Sequence, residues 1–596
     1  MDSKKFSNES QINLNFKIVN EKLPLSVDNW KISKIGVIGP GIVGMPMAAL
    51  LAKAKIKIGT NVPAKVIIVQ RNSVNSGWKV DAINSGKSVI GGIEPELENI
   101  TRDAVEAGNL SASSDFSVLS DADVILVSIQ TDKNEEGFEP DYGPMFGGLE
   151  KLAEALQKKP ADKIPLVIFE STLAPTTMDT LFREHFKKYG LEEGKDILLG
   201  NSPNRVMPGR LVERIRDADK LAGGLHPETP KLIAKLYNHI VINAEVYQTN
   251  SLTAEIVKTL ENAYRDVRIA FSTEIVRYCD ENNIDFYKVR DKVNAMLSQS
   301  DKASSDPNAV PSGGLLIPML GVGGHCLPKD GILLWWRNNQ KGNDSSKSLI
   351  LESRLINDAS PVHTFKQAEK AFGNLRNKKI ALLGVAYRFN SEDTRNSPTL
   401  VLANYLRENN VDYVMHDPYV KNDDQNLLRF KQQDHLTHDL KQALEFADYV
   451  FICSAHKEYI DHFDLINSQE NIKGIMDAAN IFNRKQFENN PGKYAGIGKG
   501  TEEPSEEFEQ FVYESFRAME KGVGHELQGL INFYNENYAF DEYNKVKFED
   551  VQRLAKTCST GCEIADAEAI ESVPVYNNFS SILTKKGFAN AKMQLV

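Results

Sequence analysis

The segment Gly321–Asp330, with the sequence GVGGHCLPKD, places a thiol, a cation and a carboxylate within a few residues. Glycines directly before Cys326 let the backbone pass close to a ligand, because they carry no Cβ atom. With Lys329 and Asp330 nearby, Cys326 is a candidate nucleophile. Taken alone, the segment also fits a glycine-rich turn before a helix, with Cys326 a small buried hydrophobic residue. We predict no metal site, since no second ligand pair lies at zinc-like spacing from His325 and Cys326.

A glycine turn between a strand and a helix marks the start of the fold. The run Lys34–Ile38 predicts a strand and Met45–Lys53 predicts a helix. Between them lie Gly39, Gly41 and Gly44, spaced as GxGxxG. The first glycine permits a tight turn, the second lets a pyrophosphate approach, and the third packs the helix on the strand. In this context the turn predicts a dinucleotide site, with the phosphates at the helix N-terminus.

The residues after the next predicted strand, Val66–Val69, bear on which dinucleotide binds. The acid expected there for a ribose 2′-hydroxyl is absent, and the chain continues Gln70-Arg71-Asn72-Ser73. Arg71 and Ser73 suit a 2′-phosphate, so NADP stays open beside NAD; alternatively, Arg71 stacks on adenine or lies in solvent. We predict NAD as the cofactor, with Arg71 as a contact.

Further apolar runs alternate with helical patterns, as in a parallel sheet covered on both faces. The predicted strands are Val124–Ile129 and Leu166–Phe169, and the predicted helices are Met145–Gln157 and Thr177–Lys188. Ligands of such sheets bind at the carboxyl ends of the strands. Thr131 and Thr172 lie at two of these ends, which makes them candidate site residues.

A long helix is predicted from Leu252 to about Asn282, with an apolar stripe and no proline. Lys258 and Asn262 are four residues apart, so they share one face and are able to present an ammonium and an amide to one ligand. Considered alone, this pair also fits a solvated face. The segment Gln299–Gly314 has the composition of a loop.

A second α/β unit begins at Lys378. Its predicted strands are Lys379–Gly384, Tyr413–Pro418, Tyr449–Cys453 and Gly474–Asp477. The fold class is therefore α/β, with two Rossmann-like, doubly wound domains joined by a long central helix and followed by a C-terminal extension. The predicted division is a polar extension (1–30), a dinucleotide domain (31–250), the central helix and Cys326 region (251–345), a second Rossmann-like domain (346–498) and the extension (499–596).

Composition excludes several functional classes. A chain of 596 residues is too long for a single hydrophobic core, so several domains are expected. The net charge of -11 gives no sign of a surface that binds nucleic acid. No signal peptide or membrane span is visible, so we expect a cytoplasmic protein without membrane contact. The five cysteines are odd in number and widely spaced, which predicts reduced thiols. Cys558 and Cys562 have no matching second pair, and we assign them no chemistry.

The order of these motifs resembles the UDP-glucose/GDP-mannose dehydrogenase family, the nucleotide-sugar 6-dehydrogenases. The similar segments span about residues 31 to 495. They are GPGIVG, ESTLAPTT from Glu170, the helix EIVKTLENAYRDVRIAF from Glu255, GVGGHCLPKD, and GVAYRFNSEDTRNSP from Gly384.

The resemblance implies a four-electron oxidation of a sugar CH2OH to a carboxylate, as in polysaccharide biosynthesis, with two dinucleotides used in succession. Cys326 would form a thiohemiacetal and then a thioester. Lys258 and Asn262 would stabilise oxyanions or take up the alcohol proton, and Asp330 and Thr172 would orient or activate water. The implied cofactor contacts include Thr131 and Lys329. The implied substrate contacts are Arg205, Gly323, Gly324, Arg388 and Arg395. Arg395 would act in a neighbouring subunit's site, which implies a homodimer.

The sequence departs from the family pattern at Asn204. Most of the family has a glutamate there, in a Ser-Pro-Glu motif implicated in thioester hydrolysis, and an amide is no general base. Asp330 or Glu170 would replace it, or hydrolysis would be slow, or the reaction would stop earlier. Arg388 stands where lysine is common, which keeps the charge and changes the geometry. Three segments resemble the UDP-N-acetylhexosamine branch more than the UDP-glucose branch: Arg205–Gly209, Tyr264–Val267 and Gly323–Cys326.

Two other functions remain open. A catalytically impaired nucleotide-sugar-binding protein would explain Asn204, but it would not need Cys326, Lys258, Asn262 and Asp330 together. A two-electron dehydrogenase of a small hydroxy acid would need neither the thiol nor a second nucleotide-type domain.

Overall fold

The structure is a computed structural model that describes residues 23, 25–73, 76–134, 139–301, 310–345, 348–539 and 541–567. Most of the predicted N-terminal extension, part of the predicted loop Gln299–Gly314 and the end of the C-terminal extension lie outside these residues. No helix in the described part of the chain is long and apolar enough to cross a membrane.

The first unit is built on one large sheet and one small hairpin. Its strands are β1 (Lys34–Ile38), β2 (Lys65–Val69), β3 (Leu110–Ser113), β4 (Val124–Val127), β5 (Asp132–Asn134), β6 (Glu139–Asp141), β7 (Leu166–Phe169), β8 (Leu198–Asn201), β9 (Lys220–Gly224) and β10 (Val246–Asn250). The eight-stranded sheet has the order β10-β9-β8-β7-β4-β1-β2-β3, and β5 pairs with β6. All neighbours in the large sheet are parallel except β8 and β9. This reversal, which the sequence pattern did not predict, brings the start of β9 to the carboxyl ends of β7 and β8.

Helices cover both faces of this sheet, since its central strands are apolar on both sides. They are α1 (Gly44–Lys53), α2 (Trp78–Asn84), α3 (Leu97–Glu106), α4 (Gly143–Leu156), α5 (Arg183–Lys188), α6 (Leu211–Asp217) and α7 (Thr229–Tyr237), and a π-helical turn (Thr177–Phe182) precedes α5. Two separate apolar clusters lie on the two faces.

Four helices form the central region: α8 (Ser251–Glu281), α9 (Phe286–Ser300), α10 (Leu327–Gln340) and α11 (Leu349–Phe372). Helix α8 begins where the Asn250 side chain accepts a hydrogen bond from the Thr253 amide. Most of its residues are buried, so it lies inside the molecule.

The second unit has a six-stranded parallel sheet with the order β13-β12-β11-β14-β15-β16. Its strands are β11 (Lys379–Leu383), β12 (Asp412–His416), β13 (Leu436–Thr437), β14 (Tyr449–Ile452), β15 (Gly474–Asp477) and β16 (Tyr494–Gly496). Its helices are α12 (Pro398–Glu408), α13 (Gln425–Arg429), α14 (Leu440–Phe446), α15 (Lys457–Asp461) and α16 (Phe463–Ser468). The predicted fold class, two Rossmann-like units joined by a long helix, is confirmed.

The C-terminal extension contains α17 (Glu506–Tyr538) and α18 (Phe548–Ala555). Its apolar side chains belong to the same core cluster as α8, α9, α11 and one face of the second sheet. Phe516 packs edge-on against Phe271 of α8, with 5.5 Å between ring centroids. Glu526 accepts hydrogen bonds from the Leu349 amide and the Trp335 indole. The extension is therefore part of the folded core.

Candidate active site

Cys326 is exposed and directly precedes α10. Gly324, two residues earlier, has φ +89°, and a Cβ there would lie 2.9 Å from the Tyr387 ring. A Cβ on Gly323 would also clash with Tyr387. Both predicted substrate-contacting glycines thus make room for a side chain of the second unit, and the Gly324 amide donates to the Arg395 carbonyl at 2.8 Å.

A buried carboxylate lies one helical turn after the thiol. Asp330 Oδ2 accepts a hydrogen bond from Asn262 Nδ2 at 2.6 Å, and Oδ1 accepts one from Lys329 Nζ at 2.6 Å. The Asp330 amide donates to the Cys326 carbonyl at 2.9 Å. The structure thus brings together four predicted site residues: Cys326, Asn262, Lys329 and Asp330. Lys329 is buried in its ion pair with Asp330.

Lys258 lies one turn before Asn262 on α8 and is 7% exposed. The alternative of a solvated face for this pair is wrong, because α8 is enclosed by α10, α11 and the extension. Thr131 is buried, and its hydroxyl donates to the Thr172 carbonyl at 2.7 Å, so these two predicted residues lie side by side.

Three parts of the chain meet beside the thiol. Gln130 lies just after β4, and its Nε2 atom is 3.4 Å from His325 Nδ1. The Gln130 Oε1 atom accepts a hydrogen bond from Arg395 at 3.3 Å. Burial, with Lys329 and Arg395 adding to it, lowers the pKa of His325 far below its usual value, so the imidazole is neutral. Residues of both Rossmann-like units therefore contact the thiol loop.

Arg395 lies beside the Cys326 loop of its own chain, where it forms an ion pair with Asp393 at 2.6 Å. The resemblance implies that Arg395 also serves a neighbouring subunit's site, and that role stays a prediction. The loop that carries Arg395 follows β11 and folds back over Gly324. Arg388, in the same loop, is partly exposed, with its guanidinium 5.6 Å from the Phe389 ring.

A second buried polar cluster surrounds Glu170, at the carboxyl end of β7. Lys220 Nζ donates to Glu170 Oε2 at 2.9 Å and to Asn204 Oδ1 at 3.1 Å. Asn204 Nδ2 donates to the same Glu170 oxygen, and the Tyr237 hydroxyl donates to the other. Both carboxylate oxygens of Glu170 are thus occupied.

Lys220 and Tyr237 were missed from the sequence. The one signal was a lysine at the head of an otherwise apolar strand, KLAGG. Burial lowers the pKa of Lys220, and the charge of Glu170 opposes that shift. Burial, and then the charge of Glu170, raises the pKa of Tyr237 well above its usual value, so the phenol is protonated.

Arg205, predicted to bind substrate, is fully engaged within the chain. A guanidinium has five N–H donors. Those of Arg205 go to both carboxylate oxygens of Glu261, the Asp219 carbonyl, the Thr557 hydroxyl and the Leu554 carbonyl. The structure therefore places Arg205 as a link between the loop after β8, helix α8 and the C-terminal extension.

The turn after β1 fits a dinucleotide. Gly39 has φ +90°, and a Cβ on Gly44 would clash with the Gly39 carbonyl. No atom lies within 4 Å of a Cβ built on Gly41, so the space that a pyrophosphate needs is open at that glycine. Arg71 is exposed two residues after β2. Among the described residues, no group of three or more His, Cys, Asp or Glu side chains is arranged to hold a metal ion.

An exposed thiol between two Rossmann-like units, one with a dinucleotide turn, defines a dinucleotide-dependent oxidoreductase. Sequence models of the UDP-glucose/GDP-mannose dehydrogenase family match the NAD binding domain at residues 33–241, the central domain at 252–359 and the UDP binding domain at 381–484. The chain belongs to this family. It is an NAD-dependent nucleotide-sugar dehydrogenase, and the family resemblance inferred from its motifs is confirmed.

Relatives named for their functions share most of their length with this chain. The UDP-N-acetyl-D-mannosamine dehydrogenase of Pyrococcus horikoshii is 30% identical over 474 residues, which are 78% of this chain and 99% of the relative. The Campylobacter jejuni enzyme of the same name is 28% identical, over 72% of this chain and 97% of its own. The crystal structure of NDP-N-acetyl-D-galactosaminuronic acid dehydrogenase from Methanosarcina mazei is similar with a TM-score of 0.65 and 30% identity, covering 79% of this chain and 96% of that one. Helices α17 and α18 lie beyond the last family match.

Proposed function

We propose that this enzyme oxidises the CH2OH group of a UDP-N-acetylhexosamine to a carboxylate, removing four electrons through a covalent intermediate on Cys326. The observation that carries the proposal is the exposed Cys326 thiol one turn from buried Asp330, whose two oxygens are held by Asn262 and Lys329. A thiol is required for the second oxidation, in which a hydride leaves the aldehyde carbon. A free aldehyde has no oxyanion on that carbon to drive the loss, whereas a thiohemiacetal has one.

In the first oxidation, Lys258 takes up the alcohol proton, and the Asn262 amide donates a hydrogen bond to the developing oxyanion. The two residues are one turn apart on α8, so both side chains face the same region. NAD, when bound, supplies the hydride acceptor for each of the two oxidations. The residues that would hold it are Gly39, Gly41 and Gly44.

Cys326 then enters the reaction as a thiolate. Its sulfur bonds to the aldehyde carbon, and the carbonyl electron pair moves to oxygen to form a thiohemiacetal. Loss of a hydride from that carbon gives a thioester. Water attacks the thioester carbon, the carbon–sulfur bond breaks, and the thiolate is restored as the sugar leaves as an acid.

Asp330 is the better candidate for activating that water. Glu170 was the other, but its oxygens are occupied by Lys220, Asn204 and Tyr237. Asp330 also accepts hydrogen bonds from two donors, but it lies only one helical turn from Cys326. We assign Thr172, which lies beside Thr131, to orient the water.

We assign the sugar from the relatives, two of which are UDP-N-acetyl-D-mannosamine dehydrogenases. In the second unit, Arg388 and Arg395 supply positive charge for a diphosphate. The test is nicotinamide reduction by the purified protein with NAD or NADP and a panel of UDP- and GDP-sugars, with products weighed by mass spectrometry. A mass gain matching a carboxylate with a UDP-N-acetylhexosamine supports the proposal. Binding without reduction across the panel would contradict it and favour an impaired binding protein.

Assembly as a homodimer stays a prediction. The prediction includes the role of Arg395 in a neighbouring subunit's site, which the resemblance implies. Light scattering of the purified protein, with catalytic activity measured across the same concentration range, tests whether a dimer forms and whether activity depends on it.

A further inference from the structure

We propose that four residues of the C-terminal extension form a clamp that positions the substrate site: Leu554, Thr557, Thr560 and Gly561. The proposal rests on the proposed function, since its catalytic readout is the oxidation of a nucleotide sugar. It assigns a role to a part of the chain that lies beyond the family matches, the last of which ends at residue 484.

The first attachment of the clamp is to Arg205. The Thr557 hydroxyl accepts a hydrogen bond from Arg205 at 2.8 Å and donates its own to the Leu554 carbonyl at 2.7 Å. The same Leu554 carbonyl accepts a second N–H of Arg205 at 3.2 Å. Each group is thus oriented by another, and Arg205, with a side chain 9% exposed, is held between the clamp and Glu261.

The second attachment is to Arg268, two helical turns beyond Glu261 on α8. One terminal nitrogen of the buried Arg268 guanidinium donates to the carbonyls of Thr560 and Gly561, both at 3.1 Å. The clamp thus bonds directly to Arg268 of α8, and it bonds to Arg205, which in turn pairs with Glu261 of α8. These two connections restrain the middle of the helix.

Both restrained parts carry site residues as chain neighbours. Arg205 follows Asn204, whose amide is bound to Glu170 and Lys220. Glu261 precedes Asn262, which donates to Asp330. The loop after β8 and helix α8 therefore meet at the ion pair of Arg205 and Glu261, and the clamp closes that junction from the outside.

Arg205 has no donor left for substrate, so it acts as a positioning residue, and Thr557 acts through it. A hydrogen bond to a charged group contributes more than a neutral one. Removing the Thr557 hydroxyl leaves a buried guanidinium N–H without its acceptor, and we expect the loop 202–208 to loosen. The nucleotide-sugar site should weaken, while the dinucleotide turn at Gly39–Gly44 should not change.

The test compares Thr557→Val, which keeps the shape and removes the hydroxyl, with Thr557→Ser, which keeps the hydroxyl. Ser559→Ala is the matched control. The Ser559 hydroxyl accepts an exposed hydrogen bond from Arg214 Nη1 at 2.7 Å and takes no part in the hydrogen bonds of Arg205. Steady-state kinetics with a UDP-N-acetylhexosamine and NAD are measured for each. We expect Thr557→Val to raise the nucleotide-sugar KM about tenfold, with the NAD KM unchanged. Thr557→Ser and Ser559→Ala should match the wild type.

Hydrogen–deuterium exchange of the same proteins separates this proposal from the proposed function. Faster exchange in peptides covering 202–208, in Thr557→Val alone, is expected whether or not the sugar panel contains the substrate. If the wild type oxidises no nucleotide sugar but this exchange pattern appears, the proposed function fails and the clamp stands. Unchanged exchange, an unchanged sugar KM, or an equal rise in both KM values would overturn the clamp.

Discussion

Asn262 Nδ2 lies 2.6 Å from Asp330 Oδ2, and this hydrogen bond joins the central helix α8 to the first turn of α10. The other oxygen of Asp330 is held by Lys329, and the carboxylate is buried. The group proposed to activate water therefore has a fixed orientation relative to Cys326.

Replacing Asn262 with alanine should lower kcat by about a hundredfold, the usual effect of removing one donor from a developing oxyanion. The KM for NAD should stay within about twofold, because the glycine turn is untouched. Asn282→Ala is the control, since Asn282 caps the far end of the same helix and donates to the Tyr278 carbonyl. Equal kcat in the wild type and Asn262→Ala would contradict the assigned role.

Introducing the glutamate of the family pattern, Asn204→Glu, should destabilise the protein. It would place a second carboxylate beside Glu170, where Lys220 is already paired with Glu170, at a cost of about 3 kcal/mol at neutral pH. The pKa of the new carboxyl would be raised by its neighbour. The cost should therefore be absent below about pH 4 and grow as pH rises. Thermal unfolding of the variant and wild type across pH 4 to 8 measures it, and a constant difference would contradict this account.

Glu255 should make stability depend on pH. Burial raises its pKa to about 8, against the opposing effect of hydrogen bonds from the Met178 and Thr176 amides. A carboxyl whose folded pKa lies above its unfolded value of about 4.3 favours the folded state at low pH. That contribution is lost as pH rises through about 8.

The comparison is urea unfolding of the wild type and Glu255→Gln at several pH values. The wild type should lose up to about 1.4 kcal/mol more per pH unit between pH 5 and 8. Glu213→Gln is the control, since the Glu213 carboxyl on α6 is partly exposed and its hydrogen bond with Arg210 lowers its pKa, away from this pH range. Identical slopes in the wild type and Glu255→Gln would show that Glu255 is already ionised in the folded protein.

Ending the chain after Gly500 should expose the apolar surface that α17 covers. Phe516 and Phe508 pack against Phe271 and Tyr278 of α8, and removing whole aromatic contacts costs several kcal/mol. We expect aggregation or a thermal midpoint lowered by more than about ten degrees. Ending the chain after Ala567 keeps every described contact and should leave the midpoint unchanged. A stable protein that ends at Gly500 would contradict the placement of the extension in the core.

Local patterns predicted the parts of the fold that depend on neighbouring residues. The strand Lys34–Ile38, the glycine turn and the long helix are determined by short-range periodicity, and the structure gives them nearly the same bounds. The group of Cys326, Asn262 and Asp330 was accessible through family motifs. The pair of Lys220 and Glu170 was not, because it depends on the antiparallel pairing of β8 and β9.

The sequence also did not show which parts of the chain the C-terminal extension contacts. No periodic pattern identifies Arg205 as the partner of Thr557, which lies more than 300 residues away. Arg205 was predicted to bind substrate from its place in a motif, and only the three-dimensional structure shows that its five donors are already used. The contact of Arg395 with Gln130 was also not predicted, since motif order does not show which loops meet in space.

The most direct test of the central claim is the ratio of NADH formed to nucleotide sugar consumed, measured for the wild type and Cys326→Ser in the presence of NAD. We expect two NADH and one uronic acid per sugar for the wild type, with acid formation lost in the variant. One NADH per sugar in the wild type, or full acid formation by Cys326→Ser, would contradict the thiol mechanism.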